Sequence, residues 1–308
     1  MKCLVFGGAG FIGSHLCDAL VSSGHEVTVV DQFLGTADNL HQIAGKYRRI
    51  MVDFCQVNDF SHLLEQQEVV FHFISTTTPR SSNLNMLGDL SENVLSTLRL
   101  LDACRTSSSL KKFIFLSSGG TVYGNPRQLP IEEDHPTNPL CSYGIHKLAI
   151  EKYLLLYSHL FGLNVMIIRA ANPYGPRQNP LGTQGVIPVF LMKALHDQPL
   201  EIWGDGTIIR DFLHVQDLVK ALQLAMNYSG EIQVFNVGAG NGISINGLVD
   251  MMERVLMKKL VVSYRAAEKV DVPSNVLDIS RIQSELGWNP TIELFQGLTE
   301  LSKTWSPK

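Results

Sequence analysis

A doubly wound parallel sheet of the α/β class, followed by a smaller C-terminal α/β lobe, is what this 308-residue sequence predicts. Three observations carry that expectation. Short apolar or β-branched runs alternate with segments of helical periodicity as far as Arg169. The first run breaks into Gly7-Gly-Ala-Gly10-Phe-Ile-Gly13, a glycine turn between a strand and a helix. The second run ends on a carboxylate, Asp31.

Lys2 to Phe6 is a short apolar run closed by glycines, as a buried parallel strand should be. Phe11 to Ser23 places Ile12, Leu16, Ala19 and Leu20 at helical spacing, with Gly24 as the stop. His25 to Val30 is the next strand, which completes one βαβ unit of Rossmann type. Strands are expected at Arg49 to Asp53, Val69 to Ile74, Phe113 to Ser117 and Asn164 to Arg169, with helices over Asn93 to Cys104 and Tyr143 to Phe161. The texture then changes. Pro173, Gly175, Pro176, Pro180, Gly182, Gly185 and Pro188 crowd one stretch, read as loops over the carboxyl edge of the sheet. Helices over Asp217 to Asn227 and Ile245 to Leu256 follow. The expected division is a cofactor domain over 1–169 and a substrate lobe over 170–308, interleaved with the first.

Composition narrows the function. The chain is 45% hydrophobic with a formal net charge of −4 and no basic run, so neither nucleic acid nor an anionic membrane is an expected partner. No apolar stretch is long enough to span a bilayer, and no signal peptide is visible at the start. Cys3, Cys17, Cys55, Cys104 and Cys141 are scattered, with no C-x-x-C pair; that suits reduced thiols in the cytoplasm and gives no metal site.

The chemistry is carried by a few residues. Gly7, Gly10 and Gly13 allow a tight turn, close approach of backbone to a pyrophosphate, and helix–strand packing, and the helix N-terminus then faces the phosphates. Asp31 suits the adenosine ribose hydroxyls and repels a 2′-phosphate; Gln32 and Phe33 follow it rather than arginine, which favours NAD over NADP. Asp53, ending the next strand, suits the adenine amino group, or else caps a turn. His72 reads as a packed core histidine. Tyr143 and Lys147 stand four apart, on one helix face, where an ammonium lowers the pKa of a phenol and makes it a base for a hydroxyl whose carbon gives up hydride. Ser117, Ser118 and Thr121 lie in Leu116-Ser-Ser-Gly-Gly-Thr-Val-Tyr-Gly124, where hydroxyls at a strand end meet a substrate hydroxyl.

With those motifs, with Arg169-Ala-Ala-Asn-Pro-Tyr-Gly175, Gly204-Asp-Gly-Thr-Ile-Ile-Arg-Asp211, Val276-Leu-Asp-Ile-Ser280 and Leu286-Gly-Trp288, the chain resembles the extended short-chain dehydrogenase/reductases. Within them it is most similar to the NAD-dependent nucleotide-sugar epimerase/dehydratase group, the UDP-glucose and UDP-N-acetylglucosamine 4-epimerases above all. The resemblance implies Tyr143 as base and Lys147 as its partner at the nicotinamide ribose, with Asn93 orienting that lysine. It adds Phe11, Ile12, Phe54 and Phe73 to the cofactor set, and Asn172, Val186, Glu201, Trp203, Arg210, Asp271 and Asn275 to the UDP-sugar set, Arg210 at the diphosphate.

Two departures stand out. The family's substrate-binding hydroxyl falls at Gly119, with Thr121 or Ser118 as its replacement. Many relatives carry a second diphosphate arginine near Glu268; here Arg265 stands three residues earlier, and either it reaches in or Arg210 carries the diphosphate largely alone. The acid pair of the 4,6-dehydratases is missing from Gly119-Gly120-Thr121, which disfavours dehydration. The expected activity is 4-epimerisation of a UDP-hexose; the alternatives are another NAD-dependent nucleotide-sugar oxidoreductase or decarboxylase, or a catalytically silent NAD-binding homologue. The resemblance puts Asn275 where the family sets pocket size, and implies that UDP-N-acetylglucosamine is accepted beside UDP-glucose. Apolar residues on more than one face of the helices around 93–104 and 143–161, Leu154, Leu155 and Leu156 among them, suggest a homodimer.

Overall fold

The computed structural model describes residues 1–33, 39–182, 185–266 and 272–305. Seven strands form one sheet, all parallel: β1 (Lys2–Phe6), β2 (Glu26–Asp31), β3 (Tyr47–Met51), β4 (Val69–His72), β5 (Lys112–Ser118), β6 (Val165–Ala170) and β11 (Val234–Val237). Their order is β11-β6-β5-β4-β1-β2-β3. The chain therefore leaves β1 in one direction for β2 and β3, then returns to lay β4 on its other side. The carboxyl ends of β1 and β4 border the crevice where the winding reverses, the place ligands occupy in such sheets.

Side-chain alternation explains why this sheet is covered on both faces. Cys3 and Val5 point to one face, where they meet Leu16 and Leu20 of α1 (Phe11–Ser22) and Leu218 and Leu222 of α7 (Val215–Asn227). Leu4 and Phe6 point to the other, packing with Leu100 of α4 (Ser96–Cys104) and Ile150 and Leu154 of α5 (Ser142–Phe161). Each such side chain removed from water contributes roughly 1.5–3 kcal/mol. A short helix α2 (Ser61–Leu64) precedes β4 on the second face.

The second lobe has its own core around Ile187, Phe190, Leu248 and Leu298. It comprises β7 (Asn172–Tyr174) paired with β10 (Phe212–His214), β8 (Leu200–Trp203) paired with β13 (Val262–Arg265), and β9 (Ile209–Arg210) between β12 (Ile243–Ser244) and β14 (Ser274–Asn275). Helices α6 (Val186–Leu195), α8 (Ile245–Leu256), α9 (Ser280–Leu286) and α10 (Leu294–Trp305) accompany them.

Three features differ from the expectation. The Pro- and Gly-rich stretch after Arg169 holds the helix α6; Pro188 sits in its first turn, where a missing N–H costs nothing. The helix expected from Asn93 begins earlier, as α3 (Met86–Asp89), and passes through a π-helical segment, Leu90–Leu95, before α4. The edge strand β11 comes from the C-terminal half of the sequence and completes the main sheet beside β6.

Candidate active site

The turn from β1 into α1 requires its glycines. Gly7 has φ +80°, and a Cβ on Gly13 would lie 2.2 Å from the Gly7 carbonyl oxygen. No side chain caps the start of α1, so its first amides face the crevice as donors for an anion. Asp31 is held beside this turn: one carboxylate oxygen accepts the Ala9 amide at 3.0 Å and the other the Phe33 amide at 3.3 Å. An anion-binding turn with a carboxylate at the neighbouring strand end fits a dinucleotide with a free 2′-hydroxyl.

Helix α5 delivers Tyr143 and Lys147 to the same crevice. Both line a cleft of about 460 Å³ together with Gly7, Gly10, Phe11, Ile12 and Gly13, and with Phe73, Ser118, Thr121, Asn172 and Arg210. Lys147 is buried, donates to the Leu116 carbonyl at 3.0 Å, and lies 4.8 Å over the Phe115 ring and 5.6 Å from the Tyr143 ring centre. Burial lowers its pKa to about 8, an effect partly offset by the carboxylates of Glu151 and Asp89. Burial acts on Tyr143 in the opposite sense, with the Cys141 thiol adding to it and a hydrogen bond with Ser75 opposing it; its phenol stands well above the ordinary tyrosine value. In the protein alone the phenol is thus raised rather than depressed, with desolvation as the largest cause.

Several expected residues occupy different roles. Asn93 makes no bond to Lys147; its amide bonds Asp89 and Thr76, so it holds the loop after β4 rather than the lysine. Ser117 reaches the cleft wall but its hydroxyl donates to buried Glu151. Asp53 caps a short 3₁₀ turn through the Cys55 amide at 3.0 Å. The Phe54 ring is in the core, 5.5 Å from Phe6 and 5.0 Å from His72, which leaves only its backbone for a cofactor. His72 is the packed core histidine expected, bonded to Thr97 at 2.9 Å and held neutral, its pKa lowered to about 3 by burial.

The substrate side is divided. Thr121 Oγ1 is buried without a partner and borders the cleft. A Cβ at Gly119 would run into Leu277 at 2.6 Å, whereas one at Gly120 would meet only the Ser118 hydroxyl and the Asn172 amide oxygen, at 3.8 and 3.9 Å. The open position facing the cleft is therefore Gly120, and Gly119 is packed against the lobe. Asn172 donates to the Asp211 carbonyl at 2.9 Å. The Arg210 guanidinium is steered by the carbonyls of Ile209 and Val272, at 2.9 and 2.8 Å. Asn275 is no exposed turn residue: it is buried, its amide donates to the Gly119 carbonyl at 3.0 Å, and its Oδ1 has no partner. Glu201 is paired with Arg265 at 2.7 Å on an exposed surface, so that arginine is engaged away from the cleft wall. Val186 begins α6 just after Gly185, which borders the cleft. Asp271 lies outside the described residues. Arg80, which sequence reasoning passed over, reaches across from the loop after β4 to stand 5.2 Å over the Trp203 ring of the second lobe. No local pattern marks it, since the two residues are far apart in the chain. Among the described residues, those lining the cleft include no carboxylate, and no cluster of metal-ligating side chains is present.

A dinucleotide turn opening onto a Tyr–Lys pair defines a class of enzymes that oxidise or re-form a carbinol with a nicotinamide cofactor. Residues 3–238 match the family model described as the NAD dependent epimerase/dehydratase family, and the chain belongs to that family. A putative UDP-glucose 4-epimerase of Methanocaldococcus jannaschii is 38% identical over 296 residues, 96% of this chain and 95% of that protein. The fold matches the UDP-glucose 4-epimerase of Thermotoga maritima, solved with UDP-glucose, at a TM-score of 0.91 and 34% identity, covering 98% of each chain. It matches the UDP-glucuronic acid 4-epimerase of Bacillus cereus, solved with UDP-glucuronic acid and NAD, at a TM-score of 0.91 and 31% identity over 98% of each chain.

The lysine gives a pH dependence. As partner of a phenolate base Lys147 would act only as an ammonium, and with its pKa lowered to about 8 by burial that form is lost as pH rises through that value. Turnover measured from pH 6 to 10 is expected to fall on the alkaline side, and Lys147→Arg, charged throughout, is expected to lose that limb while retaining a fraction of the rate. An unchanged alkaline limb in the arginine variant would contradict the assignment.

Proposed function

We propose that the protein is an NAD-dependent 4-epimerase of UDP-hexoses. The observation that carries this reading is the convergence of Tyr143, Lys147 and the Gly7–Gly13 turn on one cleft whose far wall carries Asn172 and Arg210. The turn and Asp31 would hold NAD, with Lys147 at its nicotinamide ribose. NAD supplies, when bound, the acceptor and later the donor of the C4 hydride, and a positive charge that favours the phenolate. Tyr143 removes the proton from O4 as C4 is oxidised, and its phenol returns the proton when the other face of C4 is reduced. Lys147 stabilises the phenolate through charge. Ser118 and Thr121 hold the sugar hydroxyl at the Tyr143 side. Arg210, which lines the cleft, takes the diphosphate. The 4-keto sugar turns between the two hydride transfers while the nucleotide remains anchored.

Expulsion of water from a sugar needs an acid near the ring, and the described cleft lining has none, which supports epimerisation over dehydration. Acceptance of an N-acetylated hexose beside glucose rests on the place of Asn275 in the family resemblance; the residue is buried, with its Oδ1 unpartnered, and is not among those lining the cleft. No helix among the described residues is long and apolar enough to cross a membrane, and the five cysteines are unpaired, which supports a reducing compartment such as the cytoplasm. Leu87 of α3 and Leu90 just after it, with Ile145, Tyr153, Leu156 and Leu160 along α5, expose apolar side chains on one side of the molecule, while Leu154 lies in the protein's own core. That face suits pairing with a second copy of the chain in a homodimer.

Purified protein incubated separately with UDP-glucose, UDP-N-acetylglucosamine and UDP-glucuronate, with products resolved by NMR, is expected to give the C4 epimers of the first two without net NADH. Tyr143→Phe is expected to cost about a hundredfold or more in kcat. Turnover near the parent's rate in that variant, or a reaction confined to the glucuronate, would overturn the reading. Sedimentation at micromolar concentration is expected to give twice the chain mass, and Leu156→Asp to give the monomer; a monomeric parent would refute the pairing.

A further inference from the structure

A buried acid beneath the Tyr143–Lys147 pair has no part in the chemistry described so far. Asp89, at the end of α3, is 1% exposed. One of its oxygens accepts the Thr77 hydroxyl at 2.5 Å and the Asn93 amide at 3.1 Å. The other accepts the Ser142 hydroxyl at 2.6 Å and His146 Nδ1 at 2.9 Å. These four donors come from three separate parts of the site: the loop after β4, the π-helical segment, and the first turns of α5. The same joint is closed by the backbone of α5, whose Ser142 and Tyr143 amides donate to Asn83 and Ser82, each at 2.9 Å. Four donors to two oxygens is the full complement of an ionised carboxylate. Burial alone would raise the pKa of Asp89; the hydrogen bonds from Ser142, Thr77 and His146 outweigh it and leave it lowered.

His146 stands between Tyr143 and Lys147 in the sequence and is buried. An ionised carboxylate only accepts, so the nitrogen facing it, Nδ1, carries the hydrogen. Nε2 is then the bare nitrogen, and it has no partner. Burial, with the Lys147 charge next, lowers the His146 pKa and keeps the ring neutral. That ring meets the Tyr143 ring edge to face, centres 5.0 Å apart at 68°. An orphaned buried nitrogen is costly, and a phenyl ring would fill the space without it; the Nδ1 bond to Asp89 is what the imidazole adds.

We propose that Asp89 and His146 form a positioning pair for the reaction: the carboxylate locks the loop after β4 to the start of α5, and the imidazole it orients buttresses the Tyr143 ring against the cleft. The pair acts through Tyr143 and Lys147, and the proposal rests on their reading as base and partner. Its charge matters as well as its bonds. Lys147 faces two carboxylates, Asp89 from α3 and Glu151 from its own helix, together with neutral His72 from β4 and the Tyr143 phenol. Removing Asp89's charge leaves the ammonium with one anion.

The test compares Asp89→Asn, His146→Phe and His146→Asn with the parent as NAD-loaded full-length protein. Asp89→Asn and His146→Phe are expected to lose about tenfold or more in kcat with KM within about threefold. His146→Asn, which keeps a donor toward Asp89 but not the ring against Tyr143, is expected to recover only part of that loss. In Asp89→Asn the alkaline limb of kcat is expected to move down by about one pH unit. Full kcat in both Asp89→Asn and His146→Phe would overturn the proposal. So would losses that only follow the folded, NAD-loaded fraction with the limb unmoved, since those mark a merely structural role. Imidazole ¹⁵N spectra give an arm independent of turnover. His146 is expected as the neutral Nδ1–H tautomer in the parent, with its signal altered in Asp89→Asn. An Nε2–H tautomer or an imidazolium at neutral pH would sink the pair. If the parent turns over no UDP-sugar, the epimerase reading fails, and the spectra still judge the pair by themselves.

Discussion

The ion pair between Arg169 and Glu151 fixes the catalytic helix on the sheet. Arg169 is the penultimate residue of β6, and its guanidinium binds both oxygens of Glu151 at 2.7 to 3.2 Å. It goes on to the Tyr123 hydroxyl and the Glu133 carbonyl, each at 2.9 Å, while the Ser117 hydroxyl at the end of β5 supplies a further donor to Glu151. A buried pair is stable only when its remaining donors and acceptors are satisfied, and these are. Glu151 follows Lys147 by one turn, as Lys147 follows Tyr143, so the three share one face of α5. Anchoring Glu151 to the ends of β5 and β6 therefore sets how far Lys147 and Tyr143 project over the crevice where the cofactor turn opens.

Desolvation has opposite effects on the two groups so placed. It pushes the phenol of Tyr143 up and the ammonium of Lys147 down, so each alone is held away from the charged form the reaction needs. Together, a phenolate and an ammonium stabilise one another most where water is absent, which is how a fixed polar environment lowers a barrier. The protein adds anions behind the lysine rather than beside the sugar: Glu151 and Asp89 support the ammonium from beneath, while the described cleft lining carries hydroxyls, amides and Arg210 but no carboxylate. A 4-keto sugar turning there would meet no carboxylate among the described lining residues.

Much of the Rossmann-type core was legible in the sequence because its signals are local. The run Lys2 to Phe6, the glycines that a Cβ would block, and the Tyr143–Lys147 spacing each declare themselves within a few residues. What escaped depends on distant partners. Asn275 is defined by a bond to the Gly119 carbonyl, and Leu277 by the space it fills behind Gly119. Arg80 acquires meaning only when Trp203 comes to face it. The place of β11 in the main sheet has no local mark, and the π-helical segment around Asn93 reflects the bonds of its amide to Asp89 and Thr76. Helix α6 was hidden by prolines and glycines that shape the loop before it, not the helix itself.

The account turns on one hydrogen leaving C4 and returning to the same carbon. UDP-glucose carrying deuterium at C4 tests this directly, with the C4 epimer collected and examined by mass spectrometry and NMR. The account predicts that the epimer keeps its deuterium at C4, with none lost to solvent and no NADH left behind. Washout of the label to water, or its accumulation in released NADH, would contradict it.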